Sequence, residues 1–240
     1  YIVSGRFSSK NIDLENGITL NLNSDDIGWG DGMIIKYDSE WNVEWAKSIG
    51  GYQIQNITDV VEDKEENYIV SVYSQGRYND LGDGVIVETF GNTRTMIIKY
   101  GKQGEIKSAR AINGVYYLND VEATSDGGYI LVGGFRASSI ELENGIVIKN
   151  TDETGNSTEG ILIKYNSNDE IEWYKTLNGS NEQSFNRVIE TTDGEYIVLA
   201  SFSSDSIELE DGTIINGNDS NQFVNIMMKY DANGNMQWAK

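Results

Sequence analysis

The feature that most constrains this fold is an internal repeat. A tripeptide ending in Lys-Tyr occurs four times, and its tyrosines are 63, 65 and 65 residues apart. These residues are Tyr37, Tyr100, Tyr165 and Tyr230. A second tyrosine opens a Tyr-Ile-Val or Tyr-Ile-Leu segment in every copy, at positions 1, 68, 129 and 196. A spacing held over four copies indicates one supersecondary unit that is repeated and stacked on itself.

Each copy is predicted to contain four short strands. Runs of Val, Ile and aromatic residues bounded by Gly, Asn and Asp are typical of strands, and no stretch has a helical period. The first strand is expected over 57–63, 118–124 and 186–192, and the copy that begins at Tyr1 lacks one. The second strand starts at the repeated tyrosine, and the third ends in Lys-Tyr. The fourth contains Trp45, Trp173 or Trp238, with Ser108 in the second copy.

An extra hairpin is expected between the second and third strands. Apolar and polar residues alternate there around Asn16-Gly17, Asn144-Gly145 and Asp211-Gly212, and a degenerate version surrounds Asp83-Gly84. Asn-Gly and Asp-Gly pairs tolerate the positive φ angles of a two-residue type I′ turn.

These elements predict an all-β fold, a β-propeller built of four-stranded antiparallel blades with an additional Asn-Gly hairpin in each blade. A β-solenoid is the rival architecture. The blades are expected at about 1–49, 56–112, 118–177 and 186–240, within a single partial propeller over residues 1–240. Since the first copy lacks its inner strand, we expect the chain to be an excerpt of a longer protein, with further blades or self-association completing it.

Three segments of the third copy carry a resemblance to a known family. They are Asp-Gly-Gly-Tyr-Ile-Leu-Val-Gly (126–133), Ile-Lys-Tyr-Asn (163–166) and Ile-Glu-Trp-Tyr-Lys (171–175). They resemble the seven-bladed β-propeller repeat of bacterial lipoproteins and cell-surface proteins. The resemblance covers the whole chain and implies a secreted or surface-attached bacterial protein. It implies no catalytic residues, and the second copy departs from it at Gly101 and Ser108.

Composition excludes several kinds of site and partner. Histidine, cysteine and proline are absent, which excludes imidazole triads, thiolate metal sites and disulfides. The chain has 38 acidic and 18 basic residues, a formal charge of −20, so we expect no nucleic-acid partner. No apolar run approaches the roughly 20 residues of a membrane span, so we expect no membrane insertion.

Loops that vary in length between the copies are the expected binding region. The second-to-third connections contribute Trp29, and the fourth-to-first connections contribute Tyr52, Tyr116, Tyr117 and Phe185. Aromatic rings beside carboxylates and amides suit a carbohydrate, because rings stack on sugar C–H faces while hydroxyl groups need acceptors. The alternative is that these rings only cover the ends of the inner strands.

Charged residues recur at one position of the predicted inner strand. Asp59, Asp120 and Arg187 each stand nine residues before a repeated tyrosine. This register places them near the rim of a central channel, where they either contact a ligand or simply line a wet opening.

The sequence therefore predicts a non-catalytic surface or secreted module for binding or display, whose partner is a carbohydrate or a protein at the cell surface. The alternatives are an assembly scaffold and a carbohydrate-active enzyme. No cofactor is expected. The acidic turns at 152–156 and 231–235 offer oxygen ligands for calcium, but they lack the spacing of a calcium-binding loop.

Overall fold

The computed structural model describes residues 1–23, 29–90, 94–217 and 222–240. Over these residues the fold is all β and antiparallel, with two single-turn 3-10 segments and no α-helix. The chain forms two compact units, unit 1 at Tyr1–Ile112 and unit 2 at Asn113–Lys240. No helix in the described residues has the length and apolarity needed to cross a membrane.

Unit 1 contains two main sheets and two small hairpins. The strands are β1 (Ile2–Phe7), β2 (Asn11–Asp13), β3 (Thr19–Asn21), β4 (Asp31–Tyr37), β5 (Val43–Gly51), β6 (Gln55–Glu62), β7 (Tyr68–Ser74), β8 (Tyr78–Asp80), β9 (Ile86–Glu88), β10 (Thr95–Tyr100) and β11 (Ile106–Ala111). Sheet I has the order β1-β4-β5-β8-β9, and sheet II has the order β6-β7-β10-β11. Strand β1 is an edge of sheet I, so this sheet lacks the additional inner strand that sheet II has in β6.

Unit 2 repeats this arrangement with two complete four-stranded sheets. Its strands are β12 (Val115–Ala123), β13 (Tyr129–Phe135), β14 (Ser139–Glu141), β15 (Val147–Lys149), β16 (Glu159–Tyr165), β17 (Ile171–Leu177), β18 (Gln183–Glu190), β19 (Tyr196–Phe202), β20 (Ser206–Glu208), β21 (Ile214–Asn216), β22 (Val224–Tyr230) and β23 (Met236–Ala239). Sheet III has the order β12-β13-β16-β17, and sheet IV has the order β18-β19-β22-β23.

The repeated tyrosines mark strand ends, as the sequence predicts. Strands β7, β13 and β19 begin at the opening tyrosine, and β4, β10, β16 and β22 end at the Lys-Tyr tyrosine. In sheets II, III and IV the two tyrosines are paired across neighbouring strands. The predicted first strands are also present, and each begins two or three residues earlier than expected.

The hairpins between second and third strands are present in all four copies of the repeat, but the predicted two-residue turn is wrong. In the first hairpin the Leu14 N–H donates to the Ile18 carbonyl at 2.8 Å, which leaves the three loop residues Glu15, Asn16 and Gly17 between them. Asn16 and Gly17 do have positive φ angles, of 59° and 73°. The pair was therefore recognised correctly as a turn, but the loop takes in one more residue. The hairpin with the degenerate sequence forms equally well as β8–β9.

In unit 1 a tryptophan joins the two sheets. Trp45 projects from β5 of sheet I, and its ring centroid lies 5.7 Å from that of Tyr68 and 5.9 Å from that of Tyr100 in sheet II. Its Nε1 donates a 3.0 Å hydrogen bond to the Lys102 carbonyl in the turn after β10. The indole is buried, with 7% of the residue exposed.

In unit 2, Trp173 joins sheets III and IV in the same way. Its centroid lies 5.7 Å from that of Tyr196 and 6.5 Å from that of Tyr230. Its Nε1 donates to the Ala232 carbonyl at 3.1 Å. The fourth strand of one sheet is thus joined to the tyrosine pair and the following turn of the next sheet within the unit.

A glycine beneath each indole allows this contact. A Cβ atom added at Gly104 would lie 2.8 Å from Trp45 Cδ2, and one at Gly234 would lie 2.7 Å from Trp173 Cδ2. Sheet I has Trp41 at the corresponding position, four residues after Tyr37, also with a positive φ, of 69°. Its ring stacks on that of Tyr1, with the ring centroids 4.4 Å apart and the planes 6° apart. Sheet I therefore covers its opening tyrosine with a tryptophan of its own.

Replacing Gly104 by alanine tests this packing, with Gly84→Ala as the matched control. Both glycines have a φ of 79°, but a Cβ at Gly84 meets nothing within 4 Å. We expect each variant to lose about 1–2 kcal/mol through the left-handed backbone. Gly104→Ala should lose about 1–3 kcal/mol more because the Trp45 ring must move. Urea unfolding followed by tryptophan fluorescence measures the difference, and equal losses would contradict the packing argument.

Candidate functional site

The eight residues predicted for binding are distributed over both units. In unit 1, Trp29 and Tyr52 lie in loops and are 44% and 67% exposed. Asp59 lies on β6, and its Oδ1 accepts a 2.9 Å hydrogen bond from the Val60 N–H. The other five belong to unit 2: Tyr116, Tyr117 and Asp120 lie on β12, and Phe185 and Arg187 lie on β18.

Asp120 and Arg187 form a contact between the first strands of sheets III and IV. Arg187 Nη1 lies 2.5 Å from Asp120 Oδ1, and the Val188 N–H donates to Asp120 Oδ2 at 2.8 Å. Asp120 is 6% exposed, whereas the Arg187 side chain is 67% exposed. Residues at the same position of the repeat are therefore brought together. Both carboxylate oxygens of Asp120 accept hydrogen bonds from strand β18 of sheet IV.

Phe185 occupies a different environment from the loop position expected for it. It is 0% exposed and belongs to the core of unit 2 with Val188 and Phe202. A Cβ added at Gly160 would lie 3.1 Å from its ring, so the strand opposite packs closely against it. Because no face of its ring is exposed, Phe185 cannot be one of the aromatic residues that contact a ligand.

A cavity of about 280 Å³ opens beside Tyr117 in unit 2. Its walls combine two rings, amide groups, hydroxyl groups and one carboxylate. They are formed by Tyr117, Asn119, Glu182, Gln183, Ser184, Asn186, Ser201 and Phe223. We call this the amide-lined cavity. Phe223 is 58% exposed and offers an open ring face, while Tyr117 is half-buried.

Hydrogen bonds fix the polar side chains of this cavity. Asn119 Nδ2 donates to Ser184 Oγ at 2.9 Å and to the Phe185 carbonyl at 2.8 Å. Asn186 Nδ2 donates to Ser201 Oγ at 3.0 Å. The Tyr117 hydroxyl also bonds to Ser184, and burial raises the pKa of this phenol above its ordinary value. These contacts hold the walls in place before any ligand arrives, which lowers the ordering cost of binding.

Gln183 supplies a buried acceptor at the cavity. The residue is 1% exposed, and its Nε2 donates to Ser204 Oγ. Its Oε1 has no hydrogen-bond partner among the described residues. A buried acceptor left in this state costs about 1–3 kcal/mol unless a water or a ligand donates to it.

Sequence reasoning missed the two asparagines of the cavity, although a signal was present. Asn119 and Asn186 each stand ten residues before a repeated tyrosine, one position from the Asp120 and Arg187 register that was selected. The predicted register is defined by charged residues, and neutral amides at the neighbouring position carry no charge.

A buried carboxyl group lies elsewhere in unit 2, at the start of β16. Glu159 is 0% exposed, and its Oε2 accepts a 3.2 Å hydrogen bond from the Gly179 N–H. Its Oε1 accepts from the Thr151 N–H at 3.0 Å and from the Thr151 hydroxyl. Burial raises the pKa of Glu159 to about 7, and these hydrogen bonds oppose that rise only in part.

The acidic turns considered for calcium use their oxygens internally. Asp152 accepts backbone hydrogen bonds from Thr154, Asn156 and Ser157, each at 2.9 Å. Hydrogen bonding, led by the Thr154 side chain, holds the pKa of Asp152 well below its usual range. Asp231 accepts in the same way from the backbone of Asn233 and Asn235. These carboxylates therefore act as turn-forming groups.

A scan against protein-family models and a search of curated proteins found no match to this chain.

Glu159 gives a prediction about stability and pH. Because its folded-state pKa of about 7 exceeds the ordinary 4.5, the folded protein binds more protons than the unfolded chain between these values. Stability should therefore fall as pH rises from about 4.5 to about 7, by at most about 3 kcal/mol from this group.

Glu159→Gln should flatten this part of the pH profile, whatever its effect on absolute stability. Urea unfolding at several pH values gives the slope. Glu208→Gln, which changes an exposed carboxyl group of the same unit, is the control and should retain the wild-type slope. A wild-type slope in Glu159→Gln would show that another group titrates.

Proposed function

We propose that the four sheets are blades of a β-propeller of the bacterial cell-surface repeat type. The strand order within sheets II, III and IV supports this, because each is an antiparallel meander in chain order. The packing of consecutive sheets inside each unit supports it as well, since a tryptophan joins the sheets in both units and the first strands β12 and β18 also meet in unit 2. Among the described residues no sheet closes on itself, so ring closure belongs to the proposal.

We infer that the protein is a non-catalytic binding module and that the amide-lined cavity takes a carbohydrate. One observation carries this proposal. The exposed Phe223 ring, the amides of Asn119 and Asn186 and the carboxylate of Glu182 line the same small cavity. A ring stacks on the C–H face of a sugar, while amide and carboxylate oxygens accept from its hydroxyl groups.

The composition of the cavity wall favours binding over hydrolysis. Glu182 is the only carboxylate among the described residues that line it. Canonical glycoside hydrolysis uses two carboxyl groups about 5–10 Å apart across the bond that is cleaved. A binding role without a cofactor therefore fits this wall better than a carbohydrate-active enzyme does.

The expected setting is the outside of a bacterial cell, where the module would bind a polysaccharide or display a binding surface. The charge of −20 supports this setting because it disfavours anionic polymers as partners. The location otherwise depends on the resemblance described above, and a full-length gene with neither an export signal nor an anchor would remove it.

A glycan array probed with the folded chain tests the carbohydrate proposal. We expect a reproducible hit that Phe223→Ala weakens about tenfold, the effect of losing roughly 1.4 kcal/mol of ring stacking. Phe90→Ala is the matched control, because Phe90 is similarly exposed, at 54%, and lies in unit 1.

Two results would overturn the proposal. A blank array with folded protein would remove carbohydrate as the ligand. A hit that Phe90→Ala weakens as much as Phe223→Ala would place binding outside the amide-lined cavity. Asn186→Ala provides a second test of the cavity without changing an aromatic residue.

A further inference from the structure

A second and larger cleft lies in unit 2, between the fourth strand of sheet III and the hairpin β20–β21. Its volume is about 850 Å³, and it shares no lining residue with the amide-lined cavity. Its floor includes the apolar side chains of Leu177 and Met228, and its rim includes the carboxylates of Asp152, Glu208 and Glu210. We call it the hairpin cleft.

The corresponding position in unit 1 is closed by backbone pairing. There the hairpin β8–β9 continues sheet I, with Gly50 paired to Asp80 and Gly51 paired to Asn79. In unit 2, β20 pairs only with β21, and β17 pairs only with β16. Two strand edges that are joined in unit 1 are therefore separate in unit 2 and lie on opposite sides of the hairpin cleft.

The two units use the equivalent backbone differently. A Cβ added at Gly51 would lie 2.2 Å from the Tyr78 carbonyl oxygen, so the hairpin approaches the backbone closely there. Unit 2 also has a glycine at the equivalent position, Gly179. Its N–H donates to Glu159 Oε2 at 3.2 Å, and its carbonyl oxygen lies 2.8 Å from Thr151 Oγ1. The backbone that faces the hairpin in unit 1 therefore faces Glu159 and Thr151 in unit 2, and the hairpin β20–β21 stands apart.

Separated strand edges have a defined binding chemistry. On an edge strand, alternate backbone N–H and C=O groups point away from the sheet and can pair with an added strand. Side chains of that added strand alternate between two faces. One face would meet the apolar floor of the cleft, and the other would meet its acidic rim. Glu210 already pairs with Lys175 at 2.8 Å, and Asp152 accepts hydrogen bonds from its own turn, so Glu208 is the rim carboxylate that an added basic side chain would meet.

We propose that the hairpin cleft binds an extended peptide strand with alternating apolar and basic side chains. The strand pairs with the edges of β17 and β20 and completes in unit 2 the continuous sheet that unit 1 forms by itself. Glu208 at the rim selects lysine or arginine on the outward face, and Leu177 and Met228 in the floor suit aliphatic side chains on the inward face.

A fluorescein-labelled peptide of roughly eight residues that alternates Lys and Val is the probe. Fluorescence anisotropy with the full chain should show saturable binding. A peptide with alternate backbone N-methyl groups should bind at least about tenfold more weakly, because it cannot donate to the strand edges. A peptide with Glu in place of Lys should not bind at the same concentrations.

Glu208→Lys should weaken binding of the Lys-Val peptide at least about tenfold. Glu141→Lys is the matched control, since it makes the same charge change at the equivalent exposed position of hairpin β14–β15 in the same unit. It should change the affinity less than about twofold. Equal effects of the two substitutions would show that net charge, not the cleft, controls binding.

Amide hydrogen exchange locates the bound peptide. Exchange should slow in β17 and β20 when the Lys-Val peptide is added and should stay unchanged in β8 and β9. The proposal is overturned if folded protein shows no saturable binding. It is equally overturned if protection appears elsewhere, or if both edges are already protected without peptide because the hairpin closes onto β17.

Discussion

The contact on which the described structure most depends is that of one indole ring with the next sheet. A four-stranded sheet alone leaves an apolar face exposed, and that face is buried only when another sheet covers it. Trp45 and Trp173 fix this second sheet from the fourth strand of the first sheet, through a ring contact and a hydrogen bond to a carbonyl group. In unit 2 the pair formed by Asp120 and Arg187 fixes the two sheets at their first strands. The amide-lined cavity and the hairpin cleft lie between sheets held at both ends.

The residue in the turn after the third strand determines which ring covers the repeated tyrosines of that sheet. Gly104 and Gly234 leave room for a ring supplied by the neighbouring sheet, whereas Trp41 places its own ring on the tyrosine face of sheet I. All three positions have a positive φ, so the backbone is the same and only the side chain differs. The size of the side chain at this turn position therefore decides whether the neighbouring sheet can place its tryptophan there. A sequence with a regular repeat can in this way give non-equivalent sheets.

Much of the strand layout could be predicted because it depends on local properties. Residue type and period, which act over a few residues, predict three features: the strand ends at the repeated tyrosines, the first strands and the extra hairpins. The hairpin loop at Asn16-Gly17 was predicted one residue too short, because a dipeptide reports positive φ angles without fixing which residues pair around it. Phe185 was placed in a loop because its strand begins earlier than the pattern indicated, and only packing against Gly160 shows it as core.

The two candidate sites were harder to foresee because they depend on where strands fail to meet. The amide-lined cavity needs Asn119 and Asn186 from different sheets, and their shared register has meaning only once β12 and β18 are neighbours. The hairpin cleft depends on a contrast in strand pairing, because β5 joins β8 in unit 1 whereas β17 and β20 stay separate in unit 2. The hairpin that joins its neighbouring strand is β8–β9, the copy with the degenerate sequence, whereas β20–β21 stands apart. Among the described strands the three hairpins other than β8–β9 all stand apart, so the gap beside the hairpin follows the regular repeat, and the degenerate copy is the exception that closes it with its own backbone.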